Sequence, residues 1–195
     1  EDGWPDIAVA NDTVGNFFFH NQGNGTFKEK GEETSFAYAD GRARGAMGID
    51  WGEYRPGQCA LLIGNFANEQ DTFFRLDDAK RLLFADVAHI EGIAGPSRLP
   101  LVFGVMFFDY DLDGRLDFLT ANGHLEPDIK KVFPAQDYAQ AVQLFWNTGD
   151  KPGFEWDEQP DEQRELPVRR QHHDQRREQQ HQHVDQPQHT HADEQ

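Results

Sequence analysis

An internal repeat constrains this chain more than any other feature of its sequence. Three segments align: "DGWPDIAVAND" from Asp2, "PGQCALLIGNF" from Pro56 and "DGRLDFLTANG" from Asp113. Each carries a Gly, then two residues, a small or acidic residue, a run of strand character and an Asn. Gly3, Gly57 and Gly114 open the copies at steps of 54 and 57 residues. A unit of that length that recurs in tandem is one supersecondary element stacked on its neighbours.

The copies continue alike. "NFFFHNQGNGTF" after the first parallels "QLFWNTGDKPGF" after the third, and "DTFFRLDDAKRLLF" is a looser middle version. "GAMGIDWGEY" and "VFGVMFFDY" precede the second and third loops. Short apolar runs rich in Phe, Val, Ile and Leu, bounded by Gly, Asn and Asp, read as strands. "NQGNG" reads as a turn, since Asn and Gly tolerate positive φ. The expected unit is strand, acidic loop, strand, strand, Gly turn, strand. Four short strands per repeat predict an all-β chain, a β-propeller fragment of about three four-stranded blades.

These residues carry a resemblance. "DGWPDIAVAND…NFFFHNQGNGTF", "GAMGIDWGEY…LLIGNFANE", "DYDLDGRLDFLTANGH" and "QLFWNTG" resemble the FG-GAP repeats of integrin α-like heads, and more closely the cartilage acidic protein-like family. The resemblance covers residues 1 to about 156. It implies a calcium-bearing β-propeller, of about seven blades when complete, that is usually exported. The chain opens inside a motif and is expected to be N-terminally truncated, so the missing leader leaves its compartment open.

"DYDLDGRLD" places Asp109, Asp111 and Asp113 on alternate residues, with Gly114 next and Asp117 after it. Carboxylates so close repel unless a cation lies among them, and this spacing wraps a hard ion such as Ca²⁺. The expected ligands are Asp109, Asp111, Asp113 and Asp117, with the backbone carbonyl of Arg115, whose side chain is expected to point away. The same opening begins an EF-hand, but the twelfth position is Thr120 and the flanks read as strands, not helices. A solvated acidic turn without metal is the remaining alternative. In the first copy Asp2 and Asp6 match the last two ligand positions. In the middle copy Glu53, Arg55, Pro56 and Ala60 replace ligands, and the expectation is a metal-free loop with Arg55 placing its charge where an ion would sit.

The chain is acidic, 35 Asp+Glu against 18 Lys+Arg, which argues against a nucleic-acid partner. Cys59 is the only cysteine, so an internal disulfide and a cysteine zinc site are excluded. No apolar run reaches membrane-span length. Residues 157–195 hold only Leu166, Val168, Val184 and Ala192 as apolar residues, and six histidines; they are expected to form a disordered Gln/His/Asp-rich tail. That tail would bind Zn²⁺, Ni²⁺ or Cu²⁺ loosely, or be solvated with no role of its own.

His124 and Glu126 could do acid–base work or anchor a loop. His20 alternates with Phe on a strand and reads as a surface or satisfied histidine. Trp51, Phe66, Phe107, Phe108, Phe145 and Trp146 could line a sugar-binding face, but read better as core between blades. The function expected is an extracellular or cell-surface, calcium-stabilised, non-enzymatic binding or adhesion module for a protein or polysaccharide. Loops such as Tyr38 to Gly48 would form its partner surface. The alternative is a polysaccharide-active lyase or hydrolase, which needs two carboxylates across a sugar cleft.

Overall fold

A computed structural model describes residues 2–149 and 153–158. They form three successive antiparallel sheets. The first contains β1 (Ile7–Val9), β2 (Phe17–Asn21) and β3 (Phe27–Glu29). The middle one contains β4 (Ala46–Arg55), β5 (Gln58–Asn65), β6 (Thr72–Asp78) and β7 (Leu83–Asp86). The last contains β8 (Val102–Phe108), β9 (Asp117–Asn122), β10 (Gln143–Asn147) and β11 (Phe154–Glu158). Each strand pairs with the next in sequence, so every sheet is a simple meander. Among the described residues helix is confined to a 3₁₀ turn at Pro96–Arg98 and a single α turn, α1 (Ile129–Val132).

The all-β expectation therefore holds, with one difference in strand count. The first copy opens at its loop and contributes three strands, not four. β11 carries the last sheet to Glu158, and the tail beyond it lies outside the described residues.

β5 shows why the middle copy reads as a continuous apolar run. Alternate residues of a strand face opposite sides, and here both sides are covered. Leu62 and its cross-strand partner Phe73 join one cluster with Phe118, Phe145 and Phe154 of the last sheet. Leu61 and Phe74, also paired, join a second cluster with Phe18 and Phe36 of the first copy. The Phe73 ring stands 5.5 Å from Phe154 and 6.1 Å from Phe107, both edge to face, the geometry aromatic quadrupoles favour. The leading strands of the middle and last sheets, β4 and β8, also lie together. At Gly48 a Cβ would come within 2.9 Å of the Gly104 backbone, so that position admits only glycine without a shift.

The Asn that ends each repeat motif has a common task. Its Nδ2 donates to a backbone carbonyl just before the next strand of its own sheet: Asn11 to Gly15 at 2.8 Å, Asn65 to Gln70 at 2.7 Å and Asn122 to Ala141 at 2.8 Å. The connection bridged grows from four residues to nineteen, yet the lock is the same. It satisfies a carbonyl that the ladder leaves open where the chain turns.

Candidate metal centre

β8 and β9 pair up to Phe108 opposite Asp117, and the acidic loop joins them. Leu112 and Gly114 take positive φ, 59° and 86°, which curls the loop back on its own carboxylates. Asp109 accepts from the Asp113 amide at 3.0 Å and the Gly114 amide at 2.9 Å, and Asp113 accepts from the Arg115 amide at 2.9 Å. Such Asp-to-amide bonds fold a short acidic loop locally.

The result brings three of the expected carboxylates together. Asp109, Asp111 and Asp117 each offer an oxygen, and these oxygens lie within 4.8 Å of one another. This cluster could hold a metal ion. The set is all hard oxygen, and two oxygens bound to one Ca²⁺ at about 2.3–2.6 Å stand no more than about 5 Å apart, so the residues present fit such an ion. Asp113 turns elsewhere: its carboxylate pairs with the Arg115 guanidinium. That guanidinium does not point away as expected. It folds back over the loop, and its Nε donates to the Asn147 carbonyl at 2.9 Å.

Asp117 is the buried member of the group. Its Oδ1 accepts from the Asn147 amide at 2.7 Å and its Oδ2 from the Tyr110 amide at 2.8 Å. Burial raises its pKa above the ordinary carboxylate range; these two amides pull it down, and the nearby Asp111 and Asp113 push it up further. A cation at the site would relieve both the burial cost and the repulsion.

Asn147, at the end of β10, joins the site although the spacing of the acidic loop does not point to it. Beyond its amide contact, its Oδ1 accepts from the Gly149 amide at 3.1 Å, and its Nδ2 donates to the Leu116 carbonyl at 3.3 Å and the Tyr54 carbonyl at 2.6 Å. The first sheet repeats the arrangement. Asp6 accepts from the Asn21 amide at 2.8 Å, Asn21 Oδ1 accepts from Gly23 at 3.0 Å, and Asn21 Nδ2 donates to Pro5 at 3.1 Å. The signal was the Asn-x-Gly shared by "HNQG" and "WNTG". In the middle sheet Ala60 takes the Asp position and Leu76 the Asn position, and the pair is gone. There the turn is closed by Glu53, which accepts from the Gly57 amide at 2.8 Å.

Arg55 does not place its charge in that turn. It reaches Glu91 through two bonds, Nη1 to Oε1 at 3.0 Å and Nη2 to Oε2 at 2.9 Å. Glu91 is fully buried, and a buried carboxylate demands a counter-charge more strongly than an exposed turn does. The Glu126 amide donates to His124 Nδ1 at 3.0 Å while the Glu126 carboxylate accepts from the Asp128 amide at 3.1 Å, which ties both to the loop backbone. His20 Nδ1 lies 3.0 Å from Asp6.

Among the aromatics, Phe145 is core, Phe66, Phe107, Phe108 and Trp146 are half-buried, and Trp51 is 61% exposed. Trp51 faces the side of the first sheet, sharing Leu61's face. Leading strands lie against one another, as β4 and β8 do, and the three-stranded first sheet has no leading strand to cover it.

No family model matches the chain. It is similar to cartilage acidic protein 1 of Mus musculus, 27% identical over 117 residues. The two are distant homologues. The match takes in 60% of this chain and 17% of that protein, so the chain spans a small part of its curated relative. Among the described residues no helix is long and apolar enough to cross a membrane.

Proposed function

We propose that this chain is a calcium-stabilised segment of a β-propeller that works outside the cell or at its surface as a non-enzymatic binding or adhesion module. The observation that carries it is the convergence of Asp109, Asp111 and Asp117 oxygens within 4.8 Å in a loop between two strands. The distant homology to cartilage acidic protein 1 supports the same reading. Asp113 and the Arg115 carbonyl complete the ligand set once the ion draws Asp113 from its arginine. The ion is structural: four carboxylates and a carbonyl leave little room for the open coordination position that metal catalysis requires. The partner is an extracellular protein or polysaccharide. Its surface is the stretch from Tyr38 to Gly48, whose loop part before β4 has Asp40 and Gly41 at positive φ and Tyr38 exposed.

Calorimetric titration with Ca²⁺ and thermal melts with and without chelator test the reading. Calcium should stabilise the fold by about 2.7 kcal/mol at a hundredfold excess over its dissociation constant. Asp111→Ala should remove most of that gain, and Glu53→Ala should leave it. An unchanged melting temperature on calcium removal refutes the structural ion. Full stability without calcium, together with a calcium-dependent cleavage of polysaccharide, transfers the case to a carbohydrate-active enzyme.

A further inference from the structure

We infer that Asn24, in the turn between β2 and β3, is a site of spontaneous modification: the Gly25 amide displaces ammonia from its side chain and leaves aspartate or isoaspartate. Asparagine precedes glycine at two places, Asn24–Gly25 and Asn122–Gly123; the other six asparagines precede residues with side chains. Before glycine the next amide nitrogen reaches the side-chain Cγ unhindered, because glycine has no Cβ and a permissive backbone. In sequence the two pairs are alike. The structure makes them opposites.

Asn122 is held at both reacting atoms. Its Nδ2, the atom that must leave, donates to the Ala141 carbonyl at 2.8 Å and to Gln143 Oε1 at 3.3 Å. The Gly123 amide, the nucleophile, donates to the Leu101 carbonyl at 3.0 Å. Asn122 also ends β9, opposite Val102 of β8. Ring closure there breaks these three hydrogen bonds and pulls the end of β9 from its neighbour.

Asn24 is held only at the atom that stays. Its Oδ1 accepts from the Thr26 amide at 3.0 Å and from the Thr26 hydroxyl at 2.6 Å. Among the described residues no hydrogen bond holds its Nδ2 or the Gly25 amide. Both residues are exposed, and a Cβ on Gly25 would meet nothing within 4 Å, so a ring has room to form. Negative charge builds on Oδ1 as Gly25 attacks, and the two Thr26 donors already point at that atom.

The steps balance without a cofactor. Base takes the Gly25 amide proton, and the nitrogen bonds to Asn24 Cγ. The Cγ–Nδ2 bond breaks, and Nδ2 leaves with that proton returned to it as ammonia, closing a succinimide ring. Water then opens the ring at either carbonyl, which gives aspartate or isoaspartate. Both products add a negative charge, and isoaspartate lengthens the main chain by a methylene. The turn is closed by the Gln22 amide on the Thr26 carbonyl at 2.9 Å, just before Phe27 pairs with Asn21. Isoaspartate therefore loosens the start of β3.

The test holds the whole 195-residue chain at body temperature and fixed calcium, in neutral and mildly alkaline buffer. Circular dichroism confirms that it stays folded. Peptide mapping by mass spectrometry reads the amide-to-acid conversion at each asparagine. Asn24 should convert first and faster at the higher pH, with Asn122 slower by at least about tenfold, the worth of the hydrogen bonds that hold it. In guanidinium chloride both locks are gone, and the two Asn-Gly pairs should convert at similar rates. Equal rates in the folded chain overturn the proposal, as does an Asn24 that stays intact while the unfolded chain converts. A gap between the two sites that persists in denaturant overturns it as well, since sequence and not structure would then set it.

Discussion

Replacing Asp71 by Asn should stabilise the protein near neutral pH, by an amount that follows from where the carboxyl sits. Asp71 opens β6 and is fully buried. Its Oδ1 accepts from the Asn65 amide at 3.0 Å, its own amide donates to Ser97 Oγ at 3.0 Å, and its Oδ2 is without a hydrogen-bond partner. Burial pushes its pKa from an ordinary 3.8 up to about 8, against the smaller pull of the Asn65 amide. The folded chain thus keeps a proton that the unfolded chain releases. Stability from this group is full below the unfolded pKa and is lost as pH rises through the folded one. The slope is about 1.4 kcal/mol per pH unit, so the loss from the unfolded pKa to near pH 7 reaches about 4 kcal/mol. Asparagine keeps an Oδ1 for the Asn65 amide and never ionises. We expect Asp71→Asn to gain about 2–4 kcal/mol near pH 7, with the gain shrinking towards zero near pH 4. Urea unfolding followed by tryptophan fluorescence across that range, at constant calcium, measures it. A variant no more stable than wild type near neutrality, or a difference that does not change with pH, refutes the reasoning.

Arg55→Met should cost about 3–5 kcal/mol, because it leaves the Glu91 carboxylate buried and uncompensated. Adding Glu91→Leu should recover most of that loss in the same urea titrations. Asn147→Ala removes the side-chain bonds to Leu116, Tyr54 and Gly149 and should cost about 1–3 kcal/mol. Calcium affinity in calorimetry should change far less than stability, since the backbone amide that orients Asp117 remains. Calcium affinity should fall as pH falls, and the decline should begin at a higher pH than for exposed carboxylates. The raised pKa of Asp117 lets protons compete there first, and titrations at stepwise lower pH read the onset.

The repeat was legible because each of its marks does a local job. Gly3, Gly57 and Gly114 all take positive φ, and Asn11 and Asn65 lock a carbonyl four and five residues along the chain, as Asn122 does across nineteen. Local rules write themselves into spacing. The acidic loop was legible for the same reason, down to the three carboxylates that converge. What the sequence concealed was long-range. Arg55 finds Glu91 thirty-six residues on, and no spacing rule ties them. Asp113 and Asp111 look alike in "DLDG", yet Asp113 is claimed by Arg115. Trp51 reads as core because β4 is apolar, and its exposure depends on which strands the neighbouring sheet contains.

The Asp–Asn pairing also separates two roles that the acidic loop merges. Asp117 is a candidate ligand and is also the acceptor for the Asn147 and Tyr110 amides. Asp6 keeps the first of these tasks in the first sheet through Asn21. The closing Asp of the repeat is therefore a strand-end lock first, and a ligand only where the preceding carboxylates accompany it. The middle sheet bears this out from the other side. With Ala60 and Leu76 in the two positions it has neither part of the lock, and its turn relies on Glu53 and the Gly57 amide instead. Lock and ligand need not be lost together for want of metal alone. A loop that shed only its ion would still need the Asp to hold the third strand's end, so the loss of both residues marks the β4–β5 turn as a loop rebuilt to close by itself.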